Sequence, residues 1–215
     1  MPSGGKRAKY LSFVAHEIKN PLATALWSCD LLKRMEGADR TGERAEKMID
    51  VSLRALRRMR RLVDDYFTFE RLLEDGYELR RDRLPLQELL DSALQFLAEK
   101  EGIVTGDWTV AADGEIAGDA DMLKRAVRLA IEYVARASGS TPPRLSIEAL
   151  DGVIRIGAET QPSPLLPPAP EDRPTGDPTG SVLGFALAAR ILEAHGGRIE
   201  EREGAVALVF GKAIT

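Results

Sequence analysis

Residues 13–23, FVAHEIKNPLA, gather a histidine, a carboxylate, an amide and a proline in one short run. A helix advances about 100° per residue, so Val14 and Ile18 share an apolar stripe and His16 lies about 160° from Ile18, facing water. Asn20 sits one turn beyond His16 on nearly the same face, and Glu17 is adjacent. A solvated imidazole is mainly neutral at pH 7 and therefore nucleophilic. Glu17 is expected to accept the Nδ1 proton or hold that nitrogen's tautomer, leaving Nε2 free to attack phosphorus. The phosphoramidate formed is labile, which suits passing the group onward. Asn20 can orient a water or a partner's carboxylate for the reverse chemistry. Pro21 removes the N–H that would bond the carbonyl of Glu17 and is expected to kink the helix just past the site. Phosphoryl transfer asks mainly for in-line placement and charge neutralisation. A lone exposed histidine is ordinarily only a surface residue; here four residue types with linked roles occur together.

The elements that must position this run are two long helical patterns. Leu11, Val14, Ile18, Leu22, Ala25, Cys29 and Leu32 recur at spacings of three and four. Ala45, Ile49, Ser52, Leu56, Met59, Val63 and Tyr66 do the same, which is the seam of a coiled coil or bundle. The polar stretch EGADRTGE separates them, with Thr41 as the expected N-cap of the second helix. These features predict an antiparallel hairpin over about residues 8–73. Two helices bury only one stripe each, so the hairpin is expected to dimerise into a four-helix bundle.

Beyond this lies a mixed region. LLEDGYELRRDRLPLQ breaks the heptads and reads as a linker. Leu86–Lys100, Asp121–Ala137 and Ser181–Ala194 read as helices, the last closed by Gly196-Gly197. RLSIEAL and VIRIGAE around Asp151-Gly152, and GRIEERE and AVALVFGKA around Gly204, read as β-hairpins. Helices on one face of a mostly antiparallel sheet give an α+β fold. The predicted domains are 1–74, the helical hairpin, and 75–215, an α/β sandwich. Residues 160–180 hold seven prolines in 21 positions, which predicts a long irregular loop.

Composition narrows the setting. Net charge is -4, against a nucleic-acid partner, and the single cysteine excludes an internal disulfide and fits a reducing compartment. No run of about 18 apolar residues is present, so no membrane insertion is expected. The basic start MPSGGKRAKY leads into no signal-peptide core. A cytoplasmic location is expected. If the chain is a complete product, no sensor domain precedes the first helix.

HEIKNPL resembles the H-box of sensor histidine kinases, in their dimerisation and histidine-phosphotransfer domain; the likeness spans about residues 8–73 and ends in DDYFTFERLL. It implies that His16 is phosphorylated, that Glu17 is the general base of autophosphorylation, and that Asn20 supports dephosphorylation of a response regulator. The second half is similar, in element order, to the catalytic ATP-binding domain of those kinases. LPLQELLDSALQFLAEKEG looks like its opening strand and first helix. GDADMLKRAVRLAIEYVARAS looks like the N-box helix, and GSVLGFALAARILEAHGGRIE like the G2-box and last helix.

The nucleotide motifs themselves depart from that family. Leu129 and Tyr133 stand where the N-box has asparagines, and hard Mg²⁺ needs oxygen ligands. Glu132 is a neighbour but points about 100° away on the helix. Glu159 stands in for the adenine-binding aspartate, while Gln161 and Ser163 replace glycines. Gly180 and Gly184 remain of the G2-box, with Val182 at its middle glycine, where a Cβ obstructs the phosphate cradle. Glu159, Gly180 and Gly184 are vestigial nucleotide-site residues on this reading, and ATP binding is not expected. With no intrinsic cofactor, Mg²⁺ would come from the partner receiver. The resemblance thus implies a histidine phosphotransferase derived from a kinase. It would act with response-regulator receiver domains, an upstream (hybrid) histidine kinase, or both, the second domain serving as a docking surface or brace. An active kinase with a divergent nucleotide site and a non-catalytic scaffold that sequesters a response regulator are the alternatives. Labelling of His16 by ATP would favour the first. Undiminished regulator binding by a His16→Ala chain that no donor labels would favour the second.

The remaining residues carry milder expectations. His195 is expected at a helix C-terminus, interacting with the dipole. Cys29 is expected to pack on the seam rather than react. Trp27 lies beside the seam, facing either core or partner. Arg54, Arg57, Arg58, Arg60 and Arg61 are expected to form a solvated face with Asp50 and Asp64; a docking role toward an acidic receiver is the lesser reading. No His/Cys cluster points to a transition metal.

Overall fold

The structure is a computed structural model that describes residues 4–73, 78–101, 114–139, 145–150, 152–158, 166–167 and 181–211. The chain divides into two compact units, one holding the helical pair up to Phe67 with the first three residues of the last helix, Ser181–Leu183, and the other opening at Thr68 and holding the remaining α/β elements.

In the first unit, α1 (Gly4–Arg34) runs through Pro21 as one element, and a 3₁₀ turn at Gly37–Arg40 leads to α2 (Glu43–Leu73). The pairing is antiparallel. Tyr10 stacks on Tyr66 with ring centroids 6.0 Å apart, and Cys29 Sγ lies 3.6 Å from Ser52 Oγ. The helix starts two residues after Thr41. The cap position falls on Gly42, whose carbonyl accepts from the N–H groups of Ala45 and Glu46.

The buried face of the hairpin is not the seam expected from the heptads. On α1 it runs Tyr10, Phe13, Val14, Glu17, Pro21, Ala25 and Ser28. On α2 it runs Ala45, Ser52, Ala55, Leu62 and Asp65. Leu11, Leu22 and Cys29 of the expected α1 seam are exposed, as are Ile49 and Leu56 of the α2 seam. Each helix carries two adjoining apolar stripes, one closed inside the hairpin and one open. The sequence pattern had merged them.

β1 (Asp82–Pro85) pairs antiparallel with β2 (Glu115–Gly118), bringing buried Leu84 opposite Ile116. The stretch expected to be a linker thus contributes a strand, too short to show alternation in the sequence. α3 (Leu86–Phe96) continues into a π-helical turn at Leu97–Glu101. α4 (Ala120–Ala137) packs on α3 and on β4, and α5 (Ser181–Ala194) ends at the Gly196-Gly197 turn. The four-stranded antiparallel sheet has the order β3-β4-β6-β5. Its hairpins are β3 (Leu145–Leu150) with β4 (Val153–Ala158), and β5 (Arg198–Arg202) with β6 (Ala205–Val209). Leu145, Ile147 and Ala149 face inward while Ser146, Glu148 and Leu150 face outward, the period of two that marks a half-covered strand. Glu203 and Gly204 both have positive φ, +49° and +75°, as a two-residue hairpin turn matched to strand twist requires. This is the α+β architecture expected. Residues 160–165 and 168–180 of the proline-rich segment lie outside the described residues.

Candidate functional site

α1 sets the geometry around His16. Its imidazole is open to solvent, with 57% of the side chain exposed, whereas the Glu17 side chain is completely buried. Glu17 lies three residues after Val14 and four before Pro21, a spacing that puts it on the closed stripe. His16 Nδ1 is 3.9 Å from Glu17 Oε1, an ion-pair separation but longer than a hydrogen bond. The Glu17 carboxylate thus lies toward the hairpin interior, behind the exposed ring. Asn20 is exposed on the His16 face. Its backbone carbonyl accepts from Thr24 Oγ1 at 3.1 Å, next to the N–H that Pro21 lacks. The stripe continues to Trp27, which is 60% exposed and so faces outward. Cys29 is likewise exposed rather than packed. Arg54, Arg57 and Arg60 are exposed, and Arg58 and Arg61 are partly covered.

In the second unit, Leu129 and Tyr133 face the interior of α4. Leu129 is buried, and a Cβ built on Gly184 would lie 2.8 Å from its Cδ2. Gly184 therefore gives room to a leucine side chain. Buried Tyr133 packs its ring 4.5 Å from Phe185. Glu132 bonds Arg136 at 2.9 Å. Gly196 adopts a φ of +73° at the helix end, and a Cβ on Gly197 would collide with the carbonyl of Val209. Glu159, Gln161, Ser163 and Gly180 lie outside the described residues. Among the described residues there is no group of three or more His, Cys, Asp or Glu side chains able to hold a metal ion.

A polar cluster at the β2–α4 turn was not foreseen. His195 Nε2 accepts from the N–H of Asp119 at 3.0 Å, and its Nδ1 lies 2.7 Å from the carbonyl of Ile191. These partners fix the neutral, Nδ1-protonated tautomer. His195 thus stands at the C-terminus of α5, as expected, where it bonds the Ile191 carbonyl, and it also ties α5 to the start of α4. Gly118 admits the ring, since a Cβ there would lie 2.6 Å from His195 Cδ2. Asp119 caps α4 by accepting from the N–H of Met122. Burial pushes its carboxyl pKa up, but the Met122 N–H and the Arg80 backbone and guanidinium outweigh this and hold it below the usual range. The signal for this cap was present in the sequence, an aspartate directly before an apolar-periodic run.

Residues 6–75 match the His Kinase A (phospho-acceptor) domain. Residues 6–75 thus form a phospho-acceptor domain of the kind found in histidine kinases, and the α/β domain that follows has the fold of their catalytic domains. It is 26% identical over 204 residues to the nitrogen regulation protein NtrY of Azorhizobium caulinodans, covering 87% of this chain and 26% of that protein's length. Among solved structures, the histidine kinase AdeS of Acinetobacter baumannii superposes with a TM-score of 0.60 at 16% identity, covering 90% of this chain and 95% of that one. Histidine kinase ThkA, solved in complex with the response regulator protein TrrA, gives a TM-score of 0.56 at 21% identity, covering 92% of this chain and 59% of that one. No helix among the described residues is long and apolar enough to cross a membrane.

Proposed function

We propose that this chain is a histidine phosphotransferase of a two-component phosphorelay. The carrying observation is the solvent-open His16 ring, with Asn20 on the same exposed face and the Glu17 carboxylate held beneath it. His16 Nε2 attacks the phosphorus of a receiver's aspartyl phosphate. The N–P bond forms as the bond to the aspartate oxygen breaks, and the Nδ1 proton is stabilised by the Glu17 field. A second receiver's carboxylate then attacks the same phosphorus and releases His16. Asn20 orients that carboxylate, or a water when the group is discharged.

The second domain acts as a brace or docking body. Its α4 face does not fit Mg²⁺–ATP: a buried leucine and a packed tyrosine offer no hard-cation ligand where two are required. Mg²⁺ comes with the receiver. The open stripe Leu11, Leu22, Leu26, Ile49, Leu53 and Leu56 supports a homodimer closed into a four-helix bundle. We place the protein in the cytoplasm, with receiver domains and an upstream histidine kinase as partners.

One observation favours an ATP-dependent kinase instead: the catalytic fold is retained over most of the AdeS chain. Purified protein tested with labelled ATP–Mg²⁺, and separately with phosphorylated receivers, distinguishes the two. Label on His16 from a receiver alone supports the phosphotransferase; label from ATP supports the kinase. A His16→Ala chain should take no label from either donor.

A further inference from the structure

The last four carbonyls of a helix have no partner inside it. At the end of α2, the carbonyl of Leu72 accepts a hydrogen bond from Arg190 Nη2 at 3.0 Å. Arg190 belongs to α5, and its other terminal nitrogen is steadied by Glu193 Oε2 at 3.2 Å. One turn earlier, Thr68 Oγ1 accepts from Arg125 Nη1, on α4, at 3.0 Å. The Leu72 side chain is buried. A guanidinium at a helix C-terminus also meets the negative end of the helix dipole. The unit that holds the α/β elements opens at Thr68, inside α2 rather than after it.

We propose that Thr68–Leu73 is an arginine-clamped segment of the α/β domain, and that Arg125 and Arg190 are the positioning residues that fix the domain junction at Phe67–Thr68. The helix offers no free linker at that point. Residues 68–73 are therefore held to the α/β elements by two guanidinium contacts within their own unit. Without them the segment behaves as a frayed end of the hairpin, and the junction moves past Leu73. This device does not depend on which donor phosphorylates His16.

Amide hydrogen exchange on the full chain tests it. In the Arg125→Ala/Arg190→Ala variant, amides of residues 68–73 should exchange roughly tenfold faster, while those of 45–62 keep their rates. Unchanged rates at 68–73 would overturn the proposal, as would acceleration along the whole of α2. If the double variant does not fold, Thr68→Val removes one acceptor at nearly constant volume, and Arg190→Lys keeps the charge while losing the planar fork. Each should then raise exchange at 68–73 by roughly two- to fivefold, and no change in either contradicts the clamp.

Discussion

The helical hairpin and the α/β domain dispose of their apolar surface in opposite ways. Among the described residues, the hairpin leaves Leu11, Leu22, Leu26, Trp27, Ile49, Leu53, Leu56 and Phe67 open to water, whereas the α/β domain leaves Leu150. Leu86, Leu89, Leu90, Ile131, Ile154, Ile156 and Leu187 are sealed completely in the second unit. Gly118, Gly184, Gly197 and Gly211 sit where a neighbouring atom already fills the space a Cβ would take. A surface that open on a two-helix element marks it as incomplete alone. The contrast is that the hairpin carries an open apolar stripe beside the exposed His16, while the described α/β elements bury their large apolar side chains.

The comparison breaks first at the open stripe. Placing Glu at both Leu22 and Leu56 would bury uncompensated like charges in the proposed dimer, at about 3–5 kcal/mol each, so its dissociation constant should rise by roughly ten-thousandfold or more. Light scattering across a dilution series checks this; an unchanged dimer would mean the stripe serves something else. The closed body breaks at Gly197. Gly197→Ala pushes a methyl group against the Val209 carbonyl, whose backbone cannot swing aside. A loss of about 1–3 kcal/mol in urea unfolding of the α/β domain is expected, with His16 labelling from a receiver retained.

The polar tie at the β2–α4 turn should cost less. Asp119→Ala removes the α4 cap, for about 1 kcal/mol. Because the folded carboxyl titrates below its unfolded value, its contribution is present in full above about pH 4 and disappears as pH falls through the folded value. The wild-type and Asp119→Ala stability curves should therefore converge in acid. A gap that widens there instead would reverse the assigned sign.

Much of this was legible from the sequence. The helix extents, the two β-hairpins and the His16–Asn20 face follow from periodicity and turn chemistry. What stayed hidden has physical causes. A helix with adjoining closed and open apolar stripes shows a single heptad pattern, so Leu11 and Leu56 read as the same seam as Val14 and Ser52. Glu17 is polar, and its burial shows only when its position is counted from Val14 and Pro21. β1 and β2 are each four residues long, too short for alternation to register. The His195–Asp119 bond joins residues 76 positions apart, and no local pattern carries it.

The most direct test of the account is the source of phosphate on His16. The full chain is incubated in parallel with labelled ATP–Mg²⁺ and with a labelled phospho-receiver, and the acid-labile, base-stable label is counted. The account predicts label from the receiver and none from ATP, both absent in His16→Ala. Label arriving from ATP with no receiver present would contradict it.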